Sequence, residues 1–213
     1  MAAFTDWFRT SGSRAGARSS GAFDKQLAKL EAEAEGAALG LQGLPLNRAG
    51  DLCHRAGDTA RALRYYGRAI DAFLEDGQPE AARGVAKKII RVHPDAVRTL
   101  CTLTWLDLAS GLHASALEHL HAYAVAARRA GRHELAGPQI VEMARVSGDA
   151  SFLEMAVTAL ETLELGPDAR LVREWAAAGG SADAITDPAA LAQHCFHEAV
   201  RSNAQRRADG AVA

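Results

Sequence analysis

From Leu46 onward, apolar positions recur three and four residues apart, and glycines break the runs. Leu46, Ala49, Gly50 and Cys53 share one helical face; after Gly57, a second face follows at Ala62, Tyr66, Ala69 and Ile70. The spacing predicts two helices joined at Gly57, a residue able to take positive φ at a helix end. The small residues Gly50, Ala62 and Ala69 let the two backbones approach closely.

The same signature recurs along the chain. Gly57, Gly77, Gly111 and Gly131 each precede an alanine by five residues: Ala62, Ala82, Ala116 and Ala136. Four residues beyond each alanine stand Tyr66, Ala86, Leu120 and Ile140, and seven beyond stand Ala69, Ile89, Tyr123 and Met143. The glycines are spaced 20, 34 and 20 apart, so a unit of 54 residues occurs twice. Twenty residues accommodate one helix and one turn. The helix after Gly57 should therefore run to about Asp76 and serve two neighbours. Downstream, Phe152, Met155, Ala156, Ala159, Leu160 and Leu163 mark a helical face. Gly166-Pro167 and Asp187-Pro188 open two more helices. Upstream, Phe23, Leu27, Leu30 and Ala34 mark an amphipathic helix with Glu31, Glu33 and Glu35 toward water.

Residues 46–70, LNRAGDLCHRAGDTARALRYYGRAI, resemble a tetratricopeptide repeat: a large residue, a small-Gly pair, a turn Gly, then Ala, an aromatic and Ala. GQPEAARGVAKKIIRVHPDAV is similar to the second half of such a repeat and ends in the customary proline, Pro94. Cys53 stands where the pattern usually has an aromatic, Thr104 where it has Gly, and Gly148 where a terminal proline is usual. The resemblance covers about residues 44–147. It implies an all-α, right-handed solenoid of antiparallel helix pairs. The division expected is a flexible aromatic and basic arm (1–22), an N-terminal helix and linker (23–43), the repeats (44–147), C-terminal capping helices (148–202) and a disordered tail (203–213).

In such folds the first helix of each pair lines a groove that receives a peptide or helix. Helical phase nominates Asn47, Asp51 and His54 on the first helix, Arg64 and Asp71 on the long helix, then Arg98, Cys101, Trp105 and Leu108. Trp105 is either a groove-facing anchor of the hot-spot type or buried between repeats, the second by a narrow margin. Some family members read a partner's C-terminal carboxylate with Lys and Asn on adjacent first helices. Asn47 is expected to have no Lys beside it, which argues against that mode. In the arm, Phe4, Trp7 and Phe8 at i, i+3 and i+4 form an aromatic face on a Ser/Gly/Arg tether. It could dock into a partner, fold back on the chain or touch an anionic membrane surface, the last being the weakest of the three.

Composition narrows the function classes. Forty-seven alanines against 24 Val, Ile and Thr favour helix over strand. Net charge is −2, and Lys87, Lys88 and Arg91, like Arg128, Arg129 and Arg132, have acids nearby, so no nucleic acid partner is expected. Cys53, Cys101 and Cys195 form no CxxC pair, which suits a reducing, cytoplasmic setting. No secretory h-region and no apolar run of membrane-spanning length is visible. Heavy Ala and Arg usage is compatible with a GC-rich bacterial genome.

Catalytic chemistry finds no footing. His119 and His121, two apart on one helix, diverge. His194 and His197 could face one way, but a metal needs further donors that the sequence does not nominate. No phosphate-binding glycine loop and no nucleophile elbow is present. The expectation is a non-enzymatic adaptor with a protein or peptide partner and neither cofactor nor metal. The rival is an assembly subunit whose groove is permanently filled. A metal-dependent helical enzyme stands as the second rival.

Overall fold

The computed structural model describes the backbone of residues 6–38 and 40–208, and the side chains of 21–38 and 40–203. Phe4 lies outside these residues, as do the side chains of Trp7 and Phe8. The described chain is all α, with ten helices and no strand. They are α1 (Asp6–Gly36), α2 (Gly43–Arg55), α3 (Thr59–Glu75), α4 (Pro79–Val92), α5 (Val97–Ala109), α6 (His113–Arg129), α7 (His133–Val146), α8 (Ala150–Thr162), α9 (Gly166–Ala177) and α10 (Pro188–Ala208).

The 54-residue period is visible in the helix boundaries. Moving α2, α3 and α4 along by 54 residues gives the first and last residues of α5, α6 and α7. A third copy starts with α8 and α9, one residue early, and shortens within α9. The long helix predicted after Gly57 is α3, 17 residues, and it packs against both α2 and α4.

Each unit is punctuated by the same cap. Gly57, Gly77, Gly111 and Gly131 all take positive φ, between 64° and 79°. At Gly57, the glycine N–H donates to His54 O and the next N–H, of Asp58, to Cys53 O. This paired pattern ends α3, α5 and α6 in the same way. Asp58 then caps α3 through the Arg61 N–H, and Asp149 caps α8 through that of Phe152. The capping carboxylate stands three residues after the old helix stops and starts the new one.

The alanine five residues past each glycine is fully buried at all four positions, Ala62, Ala82, Ala116 and Ala136. Around them lie Tyr66, Leu120, Tyr123, Ile140 and Met143, each at most 2% exposed. Full burial of such a side chain contributes about 1.5–3 kcal/mol.

Helix α5 is the centre of the molecule. Every residue from Thr99 to Leu108 is buried, so the helix has no water-facing side. It packs on α4 and α6, and α10 closes its remaining face. Helices α8 and α9 pack on each other and on α7, and α8 also on α6. Helix α10 packs on α5 and, less extensively, on α3.

Candidate interaction surface

The sequence nominates a groove across the long helix and the helix that follows Pro94; in the structure α10 lies there. Its buried positions are Cys195, Glu198, Ala199, Ser202 and Asn203, a stripe at helical spacing that faces α5. Arg98, at the start of α5, pairs with Asp71 of α3 and donates from Nε to Asn203 Oδ1 at 2.8 Å. Asn203 in turn donates to Asp71 Oδ1, closing a triangle across α3, α5 and α10. At the other end, the Ile185 N–H donates to Val146 O, and His194 Nε2 lies 3.2 Å from Glu142 Oε1 on α7. The helix is therefore gripped by α3, α5 and α7.

Asp71 and Arg98 thus belong to the fold's own strap rather than to an open groove. Trp105 is fully buried, and its Nε1–H donates to Gln139 Oε1 of α7 at 2.9 Å. The ring is buried rather than open to a groove, and its bond runs to α7 of the same 54-residue unit. Leu108 is 4% exposed and cannot serve an incoming partner. The physical reasons are two. Asn203 of α10 reaches Asp71 and Arg98, and a helix as apolar as α5 buries Trp105 and Leu108 because it cannot leave a face in water.

Asn47, Asp51 and His54 remain on the outer side of α2. His54 is exposed, whereas Asn47 and Asp51 meet Lys88 of α4. The Lys88 ammonium donates to Asn47 Oδ1 at 2.9 Å and to both Asp51 oxygens, at 2.6 and 2.9 Å, and lies 5.4 Å from the Tyr66 ring centre. The expectation that Asn47 lacks a lysine neighbour is corrected. The lysine comes from α4, and Asp51 occupies its charge. Tyr66 also donates to Asp51, at 2.8 Å. Burial acts to raise the Asp51 pKa, but the bonds from Lys88 and Tyr66 outweigh it, and the carboxylate is held below its ordinary value.

Two polar clusters escaped the sequence reading because they join residues from separate helices. Asp107, fully buried in the apolar run of α5, accepts from Arg83 of α4 at 3.4 Å and lies 2.6 Å from His119 Nδ1 of α6. Its position within TLTWLDL was the available signal, since a lone carboxylate on a buried helix requires partners. The second cluster is Glu142, His194 and Glu198, whose donor atoms lie within 4.8 Å of one another. His194, Glu142 and Glu198 are the residue types that hold a divalent cation. Each carboxylate, however, is already engaged. Arg145 holds both oxygens of Glu142 at 2.7 Å, and Arg201 holds Glu198 at 2.6 Å. The Arg145 bonds keep the Glu142 pKa below its usual range, and His194 adds to the effect. The arrangement is a charge-balanced clasp between α7 and α10.

The remaining histidines scatter. His121 and His197 are exposed, His113 stands 4.0 Å from Asp149, and His133 Nδ1 lies 2.8 Å from Leu163 O. Burial pushes the Cys195 thiol up to about 12, so its thiolate is scarce at neutral pH. Cys53 and Cys101 are also fully buried.

Arg64 lines a cleft of about 470 Å³ between α1 and α3, with Asp24, Leu27, Ala28, Glu31, Arg61, Tyr65 and Arg68. No helix among the described residues is long and apolar enough to cross a membrane. Comparison with protein-family models, curated proteins and solved structures finds no match to this chain.

Proposed function

We propose that the chain is a non-enzymatic protein-interaction adaptor working in the cytoplasm, built as a tetratricopeptide-like right-handed solenoid of antiparallel helix pairs. Its partner is a protein or peptide segment, received on the surfaces that the helical units present. The observation that supports this reading most is the placement of α10, a single 21-residue helix held by side chains of α3, α5 and α7. A face that holds a helix of the chain itself has the shape and the polar anchors to hold another.

The test introduces a protease site between residues 181 and 186 of the full chain. After cleavage, a labelled peptide of residues 186–208 is added in excess. Exchange of the labelled peptide for the resident helix, with the rest of the chain still folded, is the expected result. Unfolding on cleavage would make α10 an inseparable core element and remove this face from the adaptor reading.

Leu41 and Leu44, 66% and 49% exposed, favour a second reading, an assembly subunit that covers them with another chain. Sedimentation separates the two, because the adaptor predicts a monomer and the subunit a stable oligomer.

A further inference from the structure

Helix α10 meets its seat with two kinds of side chain, arranged across its width. At about 100° per residue, Cys195, Ala199 and Ser202 fall in the middle of the buried stripe, and His194 and Asn203 fall on its opposite edges, about half a turn apart. The middle is small: Cys195 and Ala199 are fully buried, and so nearly is Ser202. A larger side chain there would push the helix off α5, which is itself buried from Thr99 to Leu108. The edges are polar. His194 faces Glu142 of α7, and Asn203, nine residues on, faces Asp71 of α3 and Arg98 of α5.

The second edge is selective. Arg98 presents an Nε–H that donates, and Asp71 presents an oxygen that accepts. Asn203 answers both from one tip: its Oδ1 takes the Arg98 bond at 2.8 Å, and its Nδ2 donates to Asp71. A carboxylate in this place would face Asp71, an ammonium would face Arg98, and an apolar group would make neither bond. The Glu142 edge accepts from a donor, and the two edges together set direction. A helix laid the opposite way would bring its donor against Arg98.

We propose that the seat of α10 selects a partner helix by an asparagine-type amide, with Asp71 and Arg98 as its specificity-determining residues. The partner segment displaces α10. It carries a hydrogen-bond donor nine residues before the amide and small side chains in the places of Cys195, Ala199 and Ser202. This rests on the adaptor reading and names the chemistry of the partner received on that face.

The experiment uses the full chain cleaved between residues 181 and 186, both fragments present, and fluorescein-labelled peptides of residues 186–208, read by anisotropy. The expected result is that the unsubstituted peptide exchanges in. Peptides carrying Asn203→Asp, Asn203→Leu or Ala199→Leu should each bind about tenfold more weakly or worse. Asp71→Asn in the chain turns an acceptor into a possible donor, so it should move the preference toward the Asn203→Asp peptide by about tenfold or more. A corner with a merely structural role would not show that shift. Circular dichroism checks that the Asp71→Asn chain is folded, and the peptide series on the unsubstituted chain decides the matter if it is not. Full affinity of both Asn203 variants, or of the Ala199→Leu peptide, would overturn this proposal and leave the adaptor reading standing. Failure of the unsubstituted peptide to exchange would overturn both.

Discussion

Asn203 donates its side-chain amide to Asp71, 132 residues earlier in the chain, and both are buried. That bond fixes where α10 lies, because Arg98 approaches the same carboxylate oxygen from α5. The three groups satisfy one another in a corner where the Asp71 side chain is 11% and that of Arg98 22% exposed.

Asn203→Ala removes the corner contributed by α10. It leaves the Asp71–Arg98 pair intact but removes two hydrogen bonds, one to each charged partner, so the cost should be about 2–4 kcal/mol. The larger effect is local. Cys195 sits on the same helix, fully buried, with its thiol pKa raised to about 12 by burial. Alkylation of Cys195, mapped by mass spectrometry, should accelerate markedly in the variant while Cys53 and Cys101 stay protected. Equal acceleration at all three cysteines would mean global destabilisation and not release of α10.

Much of this architecture was legible in the chain, and the limits have physical causes. The Gly-then-Ala signature located four caps and the 54-residue unit because those positions admit few residue types. The buried stripe of α10 was hidden, since Glu198, Ser202 and Asn203 read as polar; Asn203 is buried against Asp71 and Arg98, while Glu198 and Ser202 also bond within α10, to Arg201 and to Ala199 O. The groove residues on α5 were misplaced for the same reason. Helical phase tells which face a residue occupies, but not which helix will cover that face.

A fifth cap shows the same limit. Glu164 has φ of 61°, its N–H donates to Glu161 O, and the N–H of Leu165 donates to Leu160 O. Ala169, five residues on, is buried as in the other turns. A glutamate stands where four glycines stand elsewhere, so the signature could not be seen. A side chain in this conformation costs about 1 kcal/mol or somewhat more. Its exposed pair with Arg128, at 3.0 Å, returns little. Glu164→Gly should therefore raise stability by about 0.5–1 kcal/mol, measured by urea unfolding. A loss of stability would show that the Arg128 pair outweighs the backbone strain.

Acid should loosen the molecule through Glu142. Its pKa is held below the ordinary 4.5, mainly by the two Arg145 bonds. The unfolded chain then binds a proton more readily than the folded one. The stabilisation is fully present above the unfolded pKa and is lost as pH falls from about 4.5 through the depressed folded value. Asp51, lowered through Lys88 and Tyr66, adds to the same slope. Urea midpoints should drop steeply below pH 4.5, and Glu142→Gln should flatten that drop while lowering stability at neutral pH. An unchanged slope in the variant would assign acid sensitivity to other carboxylates.

Gly50 and Tyr66 provide the sharpest test of the repeat, because their equivalents 54 residues on are Thr104 and Leu120. A Cβ on Gly50 would stand 2.5 Å from Tyr66 Cδ1 and 2.6 Å from Cε1. The ring cannot retreat easily, since it is 2% exposed and its hydroxyl is bonded to Asp51. The second unit resolves the same space with a larger residue on α5 and a smaller one on α6, both fully buried. Gly50→Thr alone should cost about 1–3 kcal/mol by overpacking. Tyr66→Leu alone should also destabilise, through lost packing and the lost bond to Asp51. Together they import the second unit's solution, so the double variant should be less damaged than the sum of the singles by about 1 kcal/mol or more. Additive losses would mean that the two units share boundaries without sharing a packing scheme.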